Sequence, residues 1–179
     1  MKQLIVAALL CGLFTSCERI KPVNGVDDMG ANDTTGYAYK AKYTSDFEIG
    51  NPKFAKIVLE IDKNFDDNTL ANSVNAFADT VMVDLADGSS FRGPKDSLIK
   101  AITAQRSSYA TVSTIYAMWV TLKPKGRDET WVSTWGRETD VKADSTKESA
   151  FLDESWRFNK EGKVDYIMQN TRKPHARKK

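Results

Sequence analysis

Histidine is all but missing from this chain of 179 residues, and its single copy, His175, stands in the last few positions. Chemistry that needs an imidazole inside a folded core, as general base or proton shuttle, is therefore disfavoured. Cysteine is as scarce, with Cys11 and Cys17 alone. No Cys/His cluster has the spacing of a zinc site, so no metal is expected, and no cofactor is implied. An excess of one charge is lacking too. The 26 Lys and Arg residues nearly balance 24 Asp and Glu. That balance excludes the broad basic surface of a nucleic-acid binder.

What is there begins at the first residue. Met1-Lys2-Gln3 is followed by an apolar run over 4–14, then Thr15-Ser16-Cys17. One basic residue, a short apolar core and small residues before a cysteine make a secretory signal. The core falls short of the roughly 20 residues a spanning helix needs. The ending Leu13-Phe14-Thr15-Ser16-Cys17 resembles the lipobox of bacterial lipoproteins. The resemblance implies a diacylglycerol on the Cys17 thiol and cleavage before it, so that 1–16 is the signal peptide. The alternative is an ordinary signal peptide that contains cysteines. The expectation is an exported protein, lipid-anchored in the bacterial cell envelope at the outer membrane. With Cys11 removed and Cys17 acylated, no disulfide is available to the domain.

Residues 17–36 are polar and aperiodic and read as a flexible tether. Residues 37–50 carry Tyr37, Tyr39, Tyr43 and Phe47 and read as an extended arm. Residues 51–174 form one domain, large enough for a real core. Residues 175–179 are a basic tail, solvated or touching anionic lipid heads.

Within the domain, Asn51-Pro52 starts a helix, with Pro at its first position. Phe54, Ile57, Val58, Ile61 and Phe65 give it one apolar face. Asp66-Asp67-Asn68 ends it. A second, shorter helix is expected over 70–77 and a third over 96–107. Strands are expected at 80–85, 89–92, 109–122, 130–139, 149–158 and 163–171, joined by short polar turns. The class is α+β: three helices come early, and the later strands form an antiparallel meander.

The stretch Phe77-Ala78-Asp79-Thr80-Val81, then Asp87-Gly88, Gly93 and the helix from Asp96, resembles the nuclear transport factor 2-like superfamily. So does Glu154-Ser155-Trp156-Arg157-Phe158-Asn159 with Gly162-Lys163-Val164. The SnoaL-like proteins are the branch most similar. The resemblance implies a cystatin-like cone, a strongly curved antiparallel sheet wrapped around the three helices, with a pocket at its open end. Members include ketosteroid isomerase, polyketide cyclases, dehydratases and non-catalytic binders, so the fold leaves function open.

Carried over residue by residue, the isomerase's general base falls at Leu85, which cannot take a proton. Its oxyanion tyrosine falls at Ile61. Its second oxyanion donor, a carboxylic acid, falls at Glu154, which keeps the type. Asp84, next to Leu85, points to the opposite face unless a bulge shifts the register. Catalytic candidates are thus Glu154, with Asp84 or Glu138 as a weaker second acid. Asp62, Asp79 and Asp165 are further acids placed where they could face inward. Solvated turn or edge positions are the plainer reading for these acids, and Asp79 is expected to bond loop amides.

Leu152, Glu154, Trp156 and Phe158 share one strand face, the concave one by the resemblance. The expected ligand pocket holds Glu154, Trp156, Phe158, Leu85, Ile61, Ile167 and Gln169. The plainer alternative gives Glu154 a cross-strand Arg or Lys, or a wet position at the pocket mouth. Tyr166 and Met168 fall on the outer sheet face, through which many members of the superfamily pair, and are the candidate homodimer interface. The function these features suggest is a lipid-anchored envelope protein. Its cone would bind a small flat or hydrophobic molecule, or an envelope protein, without chemistry. The alternative is an isomerase, cyclase or dehydratase built on Glu154 and a second acid.

Overall fold

A computed structural model describes residues 37–174 of the chain, which fall within one compact unit, Thr34–Lys179. The signal segment 1–16, Cys17, the tether over 17–36 and the tail 175–179 lie outside the described residues. Strand β1 (Phe47–Ile49) ends the arm and leads to helix α1 (Lys53–Asp66). A 3-10 helix (Leu70–Ala76) follows, then strands β2 (Phe77–Asp84) and β3 (Ser90–Pro94). Helix α2 (Lys95–Arg106) crosses to the long strands β4 (Tyr109–Pro124), β5 (Thr130–Lys142), β6 (Lys147–Phe158) and β7 (Val164–Arg172).

The side chain of Asn51 caps α1, its Oδ1 accepting the amide of Lys53 at 2.9 Å. Pro52, with φ −63°, loses nothing there because an amide at the first turn has no partner in the helix. Asn68 ends the α1 corner in the left-handed region at φ 58°, a conformation asparagine tolerates better than most residues. The expected second helix is a 3-10 helix rather than an α-helix.

The seven strands form one sheet in the order β1-β4-β5-β6-β7-β2-β3. It is curved and mixed, and this corrects one expectation. The pair β2–β7 is parallel, while every other pairing is antiparallel. The cause is α2. A helix, not a hairpin, joins β3 to β4, so those two strands point the same way, and three reversals later β7 arrives beside β2 in its own direction.

Val58 and Ile61 of α1 and Leu98 and Ile99 of α2 meet Val81, Val132, Trp156, Phe158, Val164 and Ile167 on the concave side of the sheet. Phe54 of α1 lies against Phe158, ring centroids 4.8 Å apart. Burying such side chains supplies the main drive for folding, at roughly 25 cal/mol per Å² of apolar surface. No helix among the described residues is long and apolar enough to cross a membrane.

Candidate functional site in the cone

Strand alternation puts Thr130, Val132, Thr134, Gly136 and Glu138 of β5 on the concave side with Leu152, Glu154, Trp156 and Phe158 of β6. Thr134, Glu154 and Gln169 stand opposite one another on β5, β6 and β7. This row holds the Glu154 carboxylate. Gln169 Nε2 donates to Oε1 at 2.7 Å, and Trp156 Nε1 and Thr134 Oγ1 donate to Oε2 at 3.3 and 3.5 Å. All three donors are neutral. Glu154 is only 7% exposed, which is no wet mouth, and its hydrogen bonds come from Gln169, Trp156 and Thr134 rather than from an Arg or Lys. Burial raises its carboxyl pKa, and the three hydrogen bonds pull it back.

Helix α1 brings a second carboxyl. Asp62 accepts a hydrogen bond from the phenol of Tyr116 on β4. Its pKa is raised well above the ordinary range, by burial first and then by the negative charge of Glu154. The Tyr116 phenol is raised as well, by burial and by Asp62, and stays protonated. One helical turn on, Asp66 accepts from Thr114, its Oδ2 from the amide at 2.9 Å and its Oδ1 from the hydroxyl at 3.0 Å.

Glu138 joins them from β5. Burial first, then the charges of Asp140, Glu154 and Asp66, push its pKa up to about 8, against the opposing charge of Arg106. Asp140 is raised by burial and by Glu148, and its Oδ1 is buried without a hydrogen-bond partner. Arg106, 5% exposed, sets a positive charge against Glu138 and Asp140. Its guanidinium donates from Nε to Phe65 O (2.9 Å), from Nη1 to Tyr109 O (3.0 Å) and from Nη2 to Asp66 O (2.7 Å). It thus ties the end of α1 to the start of β4, and all three of these hydrogen bonds go to carbonyls.

The structure brings together Glu154, Trp156, Gln169 and Glu138. It places Ile61, Phe158 and Ile167 in the apolar core beside them, with Leu85 partly buried against that core. It turns Asp84 the other way: the Tyr166 phenol donates to its Oδ2 at 2.7 Å on the outer face. No bulge at Asp84 reverses this, since Val83 and Asp84 pair in unbroken register with Ile167 and Met168. Asp165 is outside as well, paired with Arg157 at 2.8 Å. Asp79 is exposed and pairs with Lys95 Nζ at 3.0 Å rather than with loop amides.

Sequence reasoning did not single out Tyr116, Asp66 or Arg106. A signal for two of them existed. Asp62 and Asp66 are one turn apart, each beside an apolar-stripe residue, Ile61 or Phe65. Arg106 continues the stripe of Leu98 and Ile102, where an arginine must find buried acceptors.

Two concave surfaces are lined by none of Asp62, Glu138 and Glu154. A groove of about 520 Å³ runs between the 3-10 helix and α2, walled by Ala71, Val74 and Ile99. A hollow of about 410 Å³ lies on the outer sheet face between Ile115, Met118, Trp135, Phe151 and Arg172. Among the described residues no group of three His, Cys, Asp or Glu side chains is placed to hold a metal ion.

No protein-family model matches the chain, and no curated protein matches it by sequence. Solved structures do. An NTF2-like protein of unknown function from Exiguobacterium sp. 255-15 is 16% identical, TM-score 0.52, over 65% of this chain and 98% of its own. An LEH-like epoxide hydrolase of M. tuberculosis is 8% identical, TM-score 0.56, over 67% and 83%. A putative scytalone dehydratase from Novosphingobium aromaticivorans is 14% identical, TM-score 0.53, over 69% and 86%. The fold of the domain is therefore the nuclear transport factor 2-like cone, shared by enzymes and by proteins of unknown function.

Proposed function

We propose that the cone interior is a proton-transfer site for a small, uncharged, flat or hydrophobic molecule, with Glu154 and Asp62 as its two acids. One observation carries this reading. A buried carboxylate is fixed by three neutral donors, while a second carboxyl from another element sits close enough to feel its charge. Two acids placed so that each feels the other's charge titrate as a pair, the first proton leaving more readily than the second. The three donors favour the ionised form of Glu154, which makes Asp62 the better proton carrier of the two. Glu154 then takes a proton from the ligand, and Asp62 returns one to a departing or neighbouring oxygen. The indole of Trp156 supplies the apolar wall. This is the chemistry of a cofactor-independent isomerase, dehydratase or hydrolase.

A second reading, binding without turnover, is favoured by Ile61 and Leu85. Both are packed with the apolar core where an isomerase would carry its tyrosine and its base.

Glu154→Gln separates the two readings, because an amide keeps the shape and cannot exchange a proton. Small epoxides and dehydratable alcohols, classes suggested by the named neighbours, form the first substrate panel. Turnover abolished in the variant, with folding intact, supports catalysis. Affinity shifted modestly, with no turnover in wild type, supports binding alone. A Glu154 that titrates like a free glutamate in carbon-13 NMR overturns both.

The proposal places this domain in the bacterial envelope, anchored through lipid on Cys17. Cys17→Ser then loses labelling by a clickable fatty acid and membrane fractionation, and equal labelling of both chains counts against the anchor. We further propose a homodimer through the outer sheet face, where Met168 is exposed and Tyr166 packs against Trp131.

A further inference from the structure

We propose that residues 37–43 are a membrane-docking arm that seats in the headgroup layer of an anionic bilayer. The proposal rests on the anchor at Cys17. Tyr37-Ala38-Tyr39-Lys40-Ala41-Lys42-Tyr43 packs three of the chain's six tyrosines and two lysines into seven positions without an acid. A soluble domain normally folds such rings inward, yet Tyr37 is 68% and Tyr39 89% exposed, and Lys40 and Lys42 are exposed beside them.

The segment is held at its inner end. Arg127 Nη2 donates to Tyr43 O at 3.2 Å, its guanidinium lies 4.0 Å from the Tyr43 ring, and that ring meets Trp131 edge-on at 6.2 Å. The tyrosines beyond this clasp therefore project from a fixed point at the β1 edge of the sheet.

Two arguments select a bilayer as the occupant. The first is chemical. Tyrosine is an amphipathic ring that favours the membrane–water interface, and lysine near an anionic surface gains about 1 kcal/mol. The second is reach. Only 20 residue steps separate Cys17 from Tyr37, at most about 70 Å of chain. An acylated Cys17 thus holds the arm near the surface at all times, and a weak contact suffices. Docking there would turn the β1 edge toward the membrane and the β3 edge away from it.

The test uses the mature, acylated chain in vesicles of phosphatidylglycerol and phosphatidylcholine, and in phosphatidylcholine alone. Tyr39→Cys carries a nitrobenzoxadiazole probe, and Ser90→Cys, on the opposite edge strand β3, is the control. The expected result is a blue-shifted probe at position 39, quenched by doxyl-labelled lipid in the anionic vesicles, and a solvated probe at position 90. Lys40→Gln with Lys42→Gln should lower the docked fraction about 30-fold in equilibrium constant. A solvated probe at position 39 in vesicles that carry the protein overturns the arm alone. A chain that never floats with vesicles overturns the anchor and the arm together. A probe already shielded before lipid is added points to a protein on the arm and also overturns the proposal.

Discussion

Tyr116 donates its phenolic hydrogen to Asp62, and the bond joins the sheet to helix α1 across the inside of the cone. A matching bond lies one step along, from Thr114 to Asp66. The two agree because four helical residues rise about 6 Å, while two strand residues span about 6.8 Å. Gly136, opposite Tyr116 on β5, makes room for the ring. A Cβ there would stand 3.2 Å from Tyr116 Cδ1 and 3.3 Å from Ile115 O.

Tyr116→Phe removes the donor and leaves the half-buried Asp62 without that bond. The hydrogen bond lowers the Asp62 pKa, so its loss should drive that pKa further up. Stability should drop by about 1–3 kcal/mol. Carbon-13 titration of the Asp62 carboxyl and urea unfolding read the two effects. An Asp62 that titrates at lower pH in the variant contradicts the assignment.

Glu138 gives stability a definite pH dependence. Its folded pKa is about 8 against an ordinary 4.5, so between those values the folded state holds a proton that the unfolded chain has released. Stability therefore falls as pH rises through this window and levels off above it. Glu138→Gln removes that contribution. The variant should match wild type near pH 4.5 and melt a few degrees higher at pH 8, since about 1 kcal/mol moves Tm by roughly 2–8 °C for domains of this size range. Parallel melting curves at both pH values would refute the buried acid.

Arg106→Lys keeps the charge but not the fork that reaches three carbonyls. The end of α1 would lose acceptor partners, at a cost of about 1.5–3 kcal/mol for each charged hydrogen bond removed. Arg106→Met also removes a charge that holds Glu138 down, so the Glu138 pKa should climb beyond about 8. The urea midpoint and the Glu138 titration separate packing from electrostatics. A Met variant with an unchanged Glu138 titration would show that the arginine acts by packing alone.

Met168→Arg places a cation in the proposed dimer face. If that face pairs, burying an unpaired charge should cost several kcal/mol and leave monomers. Light scattering of the wild-type chain and of the variant decides this. A wild-type monomer at high micromolar concentration ends the proposal, as does a variant that pairs as well as wild type.

The fold class and the concave face of β6 were legible in the sequence. Period-2 alternation fixes that Leu152, Glu154, Trp156 and Phe158 share a side, whatever the strand pairs with. The helical period likewise fixes the apolar face of α1, and the structure uses Val58 and Ile61 as the pattern requires. The second acid was harder to read. Asp84 and Glu138 were candidates by type, and only Glu138 turned inward. Asp62 looked like a surface charge because its own helix gives it no partner. Tyr116, the residue that marks it as interior, lies 54 positions away.

The division follows from range. Alternation, capping and turn chemistry act within a few residues, so the sequence alone determined most of the elements, which residues of β6 share a side, and the scarcity of histidine that disfavours imidazole chemistry in the core. The parallel meeting of β2 and β7 depends on the path of α2, and the gathering of Asp62, Glu138 and Glu154 depends on how far the sheet curves around α1. Their raised pKa values arise only there, because desolvation and mutual repulsion exist only once three distant segments are packed together.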